Sequence, residues 1–294
     1  MKHCLKLSEL HIDEVMHLLS EAKKCEQGWY EQSETGKLVA NLFFEPSTRT
    51  QYSFQVAQAR LGCQSLQFQP EGSSLQKGES FFDTIKTFES FGVHALVIRS
   101  GTDEYYKELV DHLAIPILNA GDGTKDHPSQ SLLDLYTIYE EFGRFAGLRI
   151  AVIGDIKHSR VAHSNLAIMK RLGMEVAVSG PAAFQEEGYD YLPFEEAIAK
   201  MDVIMLLRVQ QERHAHCVPT DLADYHKQYG LTMERVASMK DQAIIMHPAP
   251  FLRGMELADD VVSCPKSRIF AQMHNGVAVR MALLKRAFGH GGTI

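Results

Sequence analysis

Apolar residues along the chain alternate between two rhythms: unbroken runs of strand length, and stretches in which they recur every third or fourth position. Leu38 to Phe44 is the first run, and Thr48 to Leu61, ended by Gly62, follows as a helix. Val93 to Arg99 and Ile115 to Leu118 repeat the run, with helical stretches before and between them. The rhythm resumes at Leu148 to Ile153, Glu175 to Val178, Val203 to Leu207 and Ala243 to Met246. Continuous apolar runs separated by helices predict parallel sheets covered on both faces. Near the start, Ile12, Val15, Met16, Leu19 and Ala22 share one helical face behind Ser8, the expected N-cap; Val277, Met281, Leu284 and Ala287 mark a last amphipathic helix. No internal repeat or low-complexity segment interrupts the pattern.

At 294 residues the chain exceeds what one core usually supports, which predicts two domains. The helical stretch Pro128 to Phe142 lies between the two sets of strands, and Gly143 and Gly147 punctuate the chain after it, so the domain change is placed near that helix. The fold class is therefore α/β, with two domains, each a mostly parallel sheet flanked by helices.

With 45% hydrophobic and 23% charged residues the chain is globular rather than disordered. A formal net charge of −7 argues against sequence-independent nucleic-acid binding, so any anion site must concentrate positive charge locally. The charged N-terminus carries no apolar signal region, and runs such as Val203 to Leu207 are too short to span a bilayer. Five scattered cysteines, Cys4, Cys25, Cys63, Cys217 and Cys264, without Cys-x-x-Cys, read as reduced thiols of a cytoplasmic protein.

The most informative stretch is Phe43-Phe44-Glu45-Pro46-Ser47-Thr48-Arg49-Thr50, set where a strand ends and a helix begins. Unpaired backbone N–H groups and the helix dipole attract anions there. Capping accounts for one hydroxyl; three hydroxyls and a guanidinium in four positions suit the oxygens of a phosphate. Two nucleotide signatures are absent: Gln76 stands where a Walker loop needs glycine before Lys77, and Gly154-Asp155-Ile156-Lys157 lacks the dinucleotide fingerprint. Ser73 to Ser80 reads as a mobile polar loop presenting Lys77. Three more clusters put an anion donor at a turn: Arg99-Ser100-Gly101 after a strand, His127-Pro128-Ser129-Gln130 opening a helix, and His158-Ser159-Arg160 at a strand-to-helix turn.

These motifs, together with Arg208-Val209-Gln210-Gln211-Glu212-Arg213 and His247-Pro248-Ala249-Pro250, resemble the catalytic chains of aspartate carbamoyltransferases, in order and over nearly the whole length. The Ser-Thr-Arg-Thr loop is shared with ornithine carbamoyltransferases, but the His-Cys-Leu-Pro typical of those is missing, and the second-half motifs favour aspartate. The resemblance implies a carbamoyl phosphate-binding domain at 1–133, joined by a returning C-terminal helix at 275–294, and an aspartate-binding domain at 134–274. It implies that Ser47, Thr48, Arg49 and Thr50 hold the phosphate, that Thr50, Arg99 and His127 meet the carbonyl oxygen, and that Gln130 binds the carbamoyl NH₂. Arg160 and Arg208 would clamp the aspartate carboxylates beside Gln210, with main-chain atoms of Ala249 and Pro250 at the carbamoyl amine. Lys77 and Ser74 would enter from a neighbouring subunit of a homotrimer, inside a larger assembly or alone, with Ser73 competing for the serine role. Gln51 stands where many relatives have arginine, and the Lys77 loop is one residue shorter than in some.

Carbamoyl transfer sets an amine against a carbonyl whose leaving group is already good, so proximity and charge stabilisation are what a protein must supply. No cofactor or metal is called for: the sequence has neither G-x-S-x-G nor H-E-x-x-H, and His214-Ala215-His216 lacks further zinc ligands. His158, His214, His216 and His274 read as surface or structural groups. The departing phosphate is the expected proton acceptor. Two other readings compete: transfer to another amine, such as ornithine or an acetylated relative, and a non-catalytic anion-binding partner protein.

Overall fold

A computed structural model describes residues 3–30, 33–209 and 222–289. The expectations attached to Gln210, His214, His216 and Cys217 lie outside the described residues. The chain divides into two compact units, Met1–Tyr136 with Met273–Ile294, and Thr137–Gln272.

The first unit holds α1 (Ile12–Glu26), β1 (Leu38–Phe43), α2 (Thr48–Arg60), β2 (Gln64–Gln67), α3 (Phe81–Ser90), β3 (Ala95–Ser100) and β4 (Ile117–Asp122). Its sheet runs β2-β1-β3-β4 with every pairing parallel. The other three strands, largely apolar, are buried almost throughout, as strands covered by helices on both faces are. β2 departs from that pattern: Gln-Ser-Leu-Gln is mostly exposed at the sheet edge, where polar side chains meet water. Its polarity hides it from apolar patterning, and the helix α2 before it ends at Leu61 with Gly62 at φ +78°. α1 is capped by His11, whose side chain accepts from the Asp13 amide, while Ser8 sits in a preceding 3₁₀ turn at Leu7–Glu9. The cap is thus one turn later than Ser8, with Val15, Leu18, Leu19 and Ala22 on the buried face. Ser73 to Ser80 is likewise more structured than a plain loop, folding through a 3₁₀ turn at Ser74–Lys77 that Gly78 closes at φ +89°.

α4 (Pro128–Phe142) and α9 (Ile269–Ala287) each cross the division between the units. The second unit contains β5 (Arg149–Ile153), α5 (Arg160–Arg171), β6 (Glu175–Ser179), α6 (Phe194–Lys200), β7 (Val203–Leu206), α7 (Leu222–Tyr229), α8 (Met233–Ala237) and β8 (Ile244–Met246). Its sheet runs β6-β5-β7-β8, again parallel throughout. In each sheet the second strand lies on one side of the first and the third on the other, so the order reverses between strands one and three. Open parallel sheets put ligands outside the carboxyl ends of their strands at such reversals.

Candidate active site

In the first unit the reversal lies between β1 and β3. Phe43 pairs with Arg99, and the Phe44 amide donates to the Arg99 carbonyl at 2.9 Å, so the segment leading to Ser47 starts beside Arg99. A register shift between β3 and β4 at Ile98/Ser100 falls on Arg99, the kind of irregularity that re-aims a side chain. Its Nη1 donates to the Ala120 carbonyl at 3.4 Å, and its Nε lies 3.3 Å from Glu45 Oε2. Arg99 is therefore held between the rim of its own sheet and the carboxylate that precedes the Ser47–Thr50 segment.

Beyond Glu45, Ser47 takes the N-cap position of α2 in extended conformation but makes no side-chain capping bond. Thr48 and Arg49 are exposed at the helix start, whereas Thr50 is buried. Thr50 Oγ1 lies 3.4 Å from His127 Nε2, which joins the first turn of α2 to the residue preceding α4. His127 is buried, with Ser129 Oγ 3.5 Å from its Nδ1. Asp122 at the end of β4 shapes this approach by accepting from the Asp126 amide at 2.6 Å and the Glu104 amide at 3.1 Å. One turn into α4, the buried Gln130 donates through Nε2 to Asp134 Oδ1 at 2.9 Å. Ser47, Arg49, Thr50, Arg99, His127 and Gln130 thus lie along the carboxyl ends of β1, β3 and β4. Ser74 and Lys77 are exposed on their 3₁₀ turn, and the Ser73 hydroxyl is occupied there, accepting from the Leu75 amide at 3.3 Å and donating to the Pro70 carbonyl at 2.8 Å.

The second unit repeats the geometry with different chemistry. Leu207 donates to the Ile153 carbonyl at 2.8 Å, bringing the exits of β7 and β5 together. Gly154 follows at φ +127°, and a Cβ there would meet the Leu207 carbonyl at 3.0 Å, so only glycine allows this approach. Buried Asp155 then accepts from both the His158 amide, at 3.2 Å, and His158 Nδ1, at 2.9 Å. Ser159 caps α5 by accepting from the Ala162 amide at 3.2 Å, and Arg160 is the first residue of that helix. Arg208 stands two residues past β7, across the same reversal.

A residue not singled out in the sequence fixes the Arg208 segment. Buried Glu256 accepts from the Val209 amide at 3.0 Å and the Leu252 amide at 2.7 Å, tying the exit of β7 to the loop after β8. Burial raises its carboxyl above the ordinary range, against the lowering effect of those amides and of Arg208. In the loop itself His247 is buried, its amide donating to Gln272 Oε1 at 2.8 Å. The Ala249 amide donates to His247 Nδ1 at 2.9 Å, which makes Nδ1 the acceptor nitrogen of that ring. Ala249 has φ +53° and its bond to Pro250 is cis. Since Pro248 and Pro250 carry no N–H and that of Ala249 is engaged, the segment offers carbonyl oxygens to a ligand. Among the described residues no three or more His, Cys, Asp or Glu converge as metal ligands do.

Two family descriptions match the chain in tandem: the carbamoyl-P binding domain of aspartate/ornithine carbamoyltransferases over residues 2–140, and their Asp/Orn binding domain over residues 146–287. An aspartate transcarbamoylase from Trypanosoma cruzi, solved with carbamoyl aspartate and phosphate, is 32% identical; the match covers 96% of this chain and 94% of that one, with a TM-score of 0.85. The chain belongs to the aspartate/ornithine carbamoyltransferase family. The T. cruzi enzyme bound to N-(phosphonacetyl)-L-aspartic acid matches with a TM-score of 0.86 at 31% identity, over 96% of this chain and 94% of that one. The catalytic subunit of M. jannaschii aspartate transcarbamoylase matches at 31% identity and a TM-score of 0.89, over 99% of this chain and 100% of that one. A carbamoyltransferase needs one site for an acyl phosphate and another for an amine substrate, and each unit presents donors at its own sheet reversal. Asp134 and Glu256 hold neighbours at these two rims and were not singled out from the sequence, and Glu45 stood in the Phe43–Thr50 stretch without a role of its own. Glu256 had a faint signal, a carboxylate flanked by the apolar Met255 and Leu257.

Proposed function

We infer that the protein is an aspartate carbamoyltransferase, forming N-carbamoyl-L-aspartate and phosphate from carbamoyl phosphate and L-aspartate at an early step of pyrimidine synthesis. The observation that carries this reading is the pair Arg160 and Arg208, which stand on either side of the reversal in the second sheet. Two guanidiniums answer a dicarboxylate, whereas ornithine brings one carboxylate and a cation. The first unit is the carbamoyl phosphate-binding domain, in which Ser47, Thr48, Arg49 and Thr50 take the phosphate. Thr50, Arg99 and His127 donate to the carbonyl oxygen as it gains negative charge, and Gln130 accepts from the carbamoyl NH₂.

The aspartate nitrogen attacks the carbonyl carbon, a C–N bond forms, and collapse of the tetrahedral species breaks the C–O bond to phosphate. The leaving phosphate takes the proton shed by nitrogen. Carbonyl oxygens of the Ala249–Pro250 segment steady the carbamoyl amine. The exposed Ser74 and Lys77 act on a neighbouring chain's site in a cytoplasmic homotrimer.

The test is to incubate the purified protein with carbamoyl phosphate and either L-aspartate or L-ornithine and to identify the product by mass. N-carbamoyl-L-aspartate from the first mixture and no citrulline from the second is the expected outcome. Citrulline formation would reassign the second unit, and no product from either amine would leave an anion-binding protein.

A further inference from the structure

Gln130 and Asp134 share one face of α4, four residues apart, and both are buried. The Gln130 side-chain NH₂ donates to Asp134 Oδ1 at 2.9 Å. A primary amide has a donor end and an acceptor end of nearly the same shape, and only its partners decide which way round it sits. An ionised carboxylate accepts and never donates, so Asp134 admits one orientation of the Gln130 amide, and Oε1 is left as the acceptor for anything else.

A buried cation shares the interior with Asp134. Arg280 on α9 is buried in the same unit, its Nη1 donating to the Gly276 carbonyl at 2.9 Å and its guanidinium lying 5.1 Å from the centre of the Phe54 ring on α2. Gly276 is needed for that placement, since a Cβ there would stand 2.5 Å from Arg280 Nη1. Burial pushes the Arg280 guanidinium down to about 9, and the charge of Asp134 acts in the opposite direction. A guanidinium and a carboxyl thus share one interior, where each favours the charged form of the other.

We propose that Asp134 is a positioning residue that sets the orientation of the Gln130 amide and so lets the site tell a carbamoyl NH₂ from a methyl group. A carbamoyl group brings N–H donors, for which Oε1 is the fitting partner. An acetyl group of the same shape brings none and leaves Oε1 unsatisfied. A site built around a buried hydrogen-bonding group rejects an analogue lacking the partner far better than an apolar pocket does. This deepens the reading of the first unit as the carbamoyl phosphate domain and rests on it.

The test compares two stable ligands by calorimetry, phosphonoacetamide and 2-oxopropylphosphonate, which differ only in carrying NH₂ or CH₃ on the carbonyl. The wild-type protein is expected to bind the amide at least about tenfold more tightly. In Asp134→Asn, the Arg280 charge draws the new side-chain oxygen, its NH₂ turns toward Gln130, and the Gln130 amide inverts. The preference is then expected to shrink about tenfold, while 2-oxopropylphosphonate binds as before. Asp134→Leu/Arg280→Met removes both charges in favour of apolar groups of similar size, and it serves if the single variant does not fold. There the Gln130 side chain loses its anchor, and the preference is expected to fall about threefold to tenfold. An unchanged preference in the folded variants, or equal weakening of both ligands, would mean that Asp134 only packs. Equal binding of the two ligands by wild type would overturn the proposal and leave the phosphate reading standing. Failure of wild type to bind either ligand would overturn both.

Discussion

Both units use one topology, a parallel sheet whose order reverses between its first and third strands, yet they treat the helix after the first strand in opposite ways. In the first unit, Ser47 holds the N-cap position of α2 without a capping bond, and two of the three residues that follow it are exposed. In the second, Ser159 closes the N-terminus of α5 through the Ala162 amide, and Asp155 claims the His158 amide just before it. One helix start lacks a side-chain cap; the other is capped by its own chain and begins with Arg160. The fourth strands differ as well. β4 leads within six residues to α4 and His127, whereas β8 leads to a long irregular stretch that Glu256 ties down from inside. The two rims share a scaffold and differ in the caps and side chains that line them.

The sharpest way to break this contrast is to remove from the first unit a donor that we assign to the reacting carbonyl. Arg99→Ala is expected to lower kcat about 10²- to 10³-fold, with a much smaller change in KM for aspartate. Steady-state rates with both substrates varied check it, and a loss confined to the aspartate KM would place Arg99 with the wrong substrate. Next in size, Arg208→Ala should raise the aspartate KM by roughly 10²-fold while calorimetric binding of phosphonoacetamide stays within about twofold of wild type. Arg208→Lys should recover little of the loss, because an ammonium cannot replace a planar fork. Glu256→Ala leaves the Val209 and Leu252 amides without their acceptor, so about 2–3 kcal/mol of stability should vanish in urea titrations.

The smallest effect concerns pH. Lys107 first, and Lys6 second, hold the Glu104 carboxyl at about 2, below its ordinary 4.5. A depressed carboxyl stabilises the fold above its unfolded value, and that contribution is lost as pH falls from about 4.5 toward about 2. Thermal melts of Glu104→Gln should therefore match wild type near pH 2 and lie slightly below it at neutral pH. Equal melting at both pH values would show that the three side chains contribute nothing.

Sequence periodicity located the strands that are buried on both faces, because burial favours largely apolar runs such as Leu38 to Phe43, whose one polar residue, Asn41, is paired with Gln58. It missed β2, whose exposed edge position lets Gln64 and Gln67 stand in a strand. Ser8 misled because any hydroxyl ahead of a helical pattern looks like a cap, while the cap in place is the imidazole of His11. Motifs exposed the residues whose chemistry is unusual in itself, such as the Ser47–Thr50 cluster. Glu45 stood inside the Phe43–Thr50 stretch without a role, and Asp134 and Glu256 stayed hidden, because nothing about a lone carboxylate says whether it faces water or holds a neighbour in place. Only the fold puts Glu45 beside Arg99 and Glu256 beneath two amides.

The division of the chain has a consequence for how the protein is made. The first unit is completed by Met273–Ile294, which reaches it only after the whole of Thr137–Gln272. Within that returning segment, Arg286 bonds Glu14 Oε1 at 2.8 Å and the His3 carbonyl at 2.7 Å, and Lys285 reaches Glu21 at 2.9 Å, while Met281 and Leu284 are fully buried. During synthesis the segment emerges last, so the unit begun first is the one finished last. The nascent first unit waits with α1 uncovered while the second, contiguous in sequence, has everything it needs to fold. Truncated after residue 272, the chain would therefore combine a protease-resistant second unit with a protease-sensitive first one.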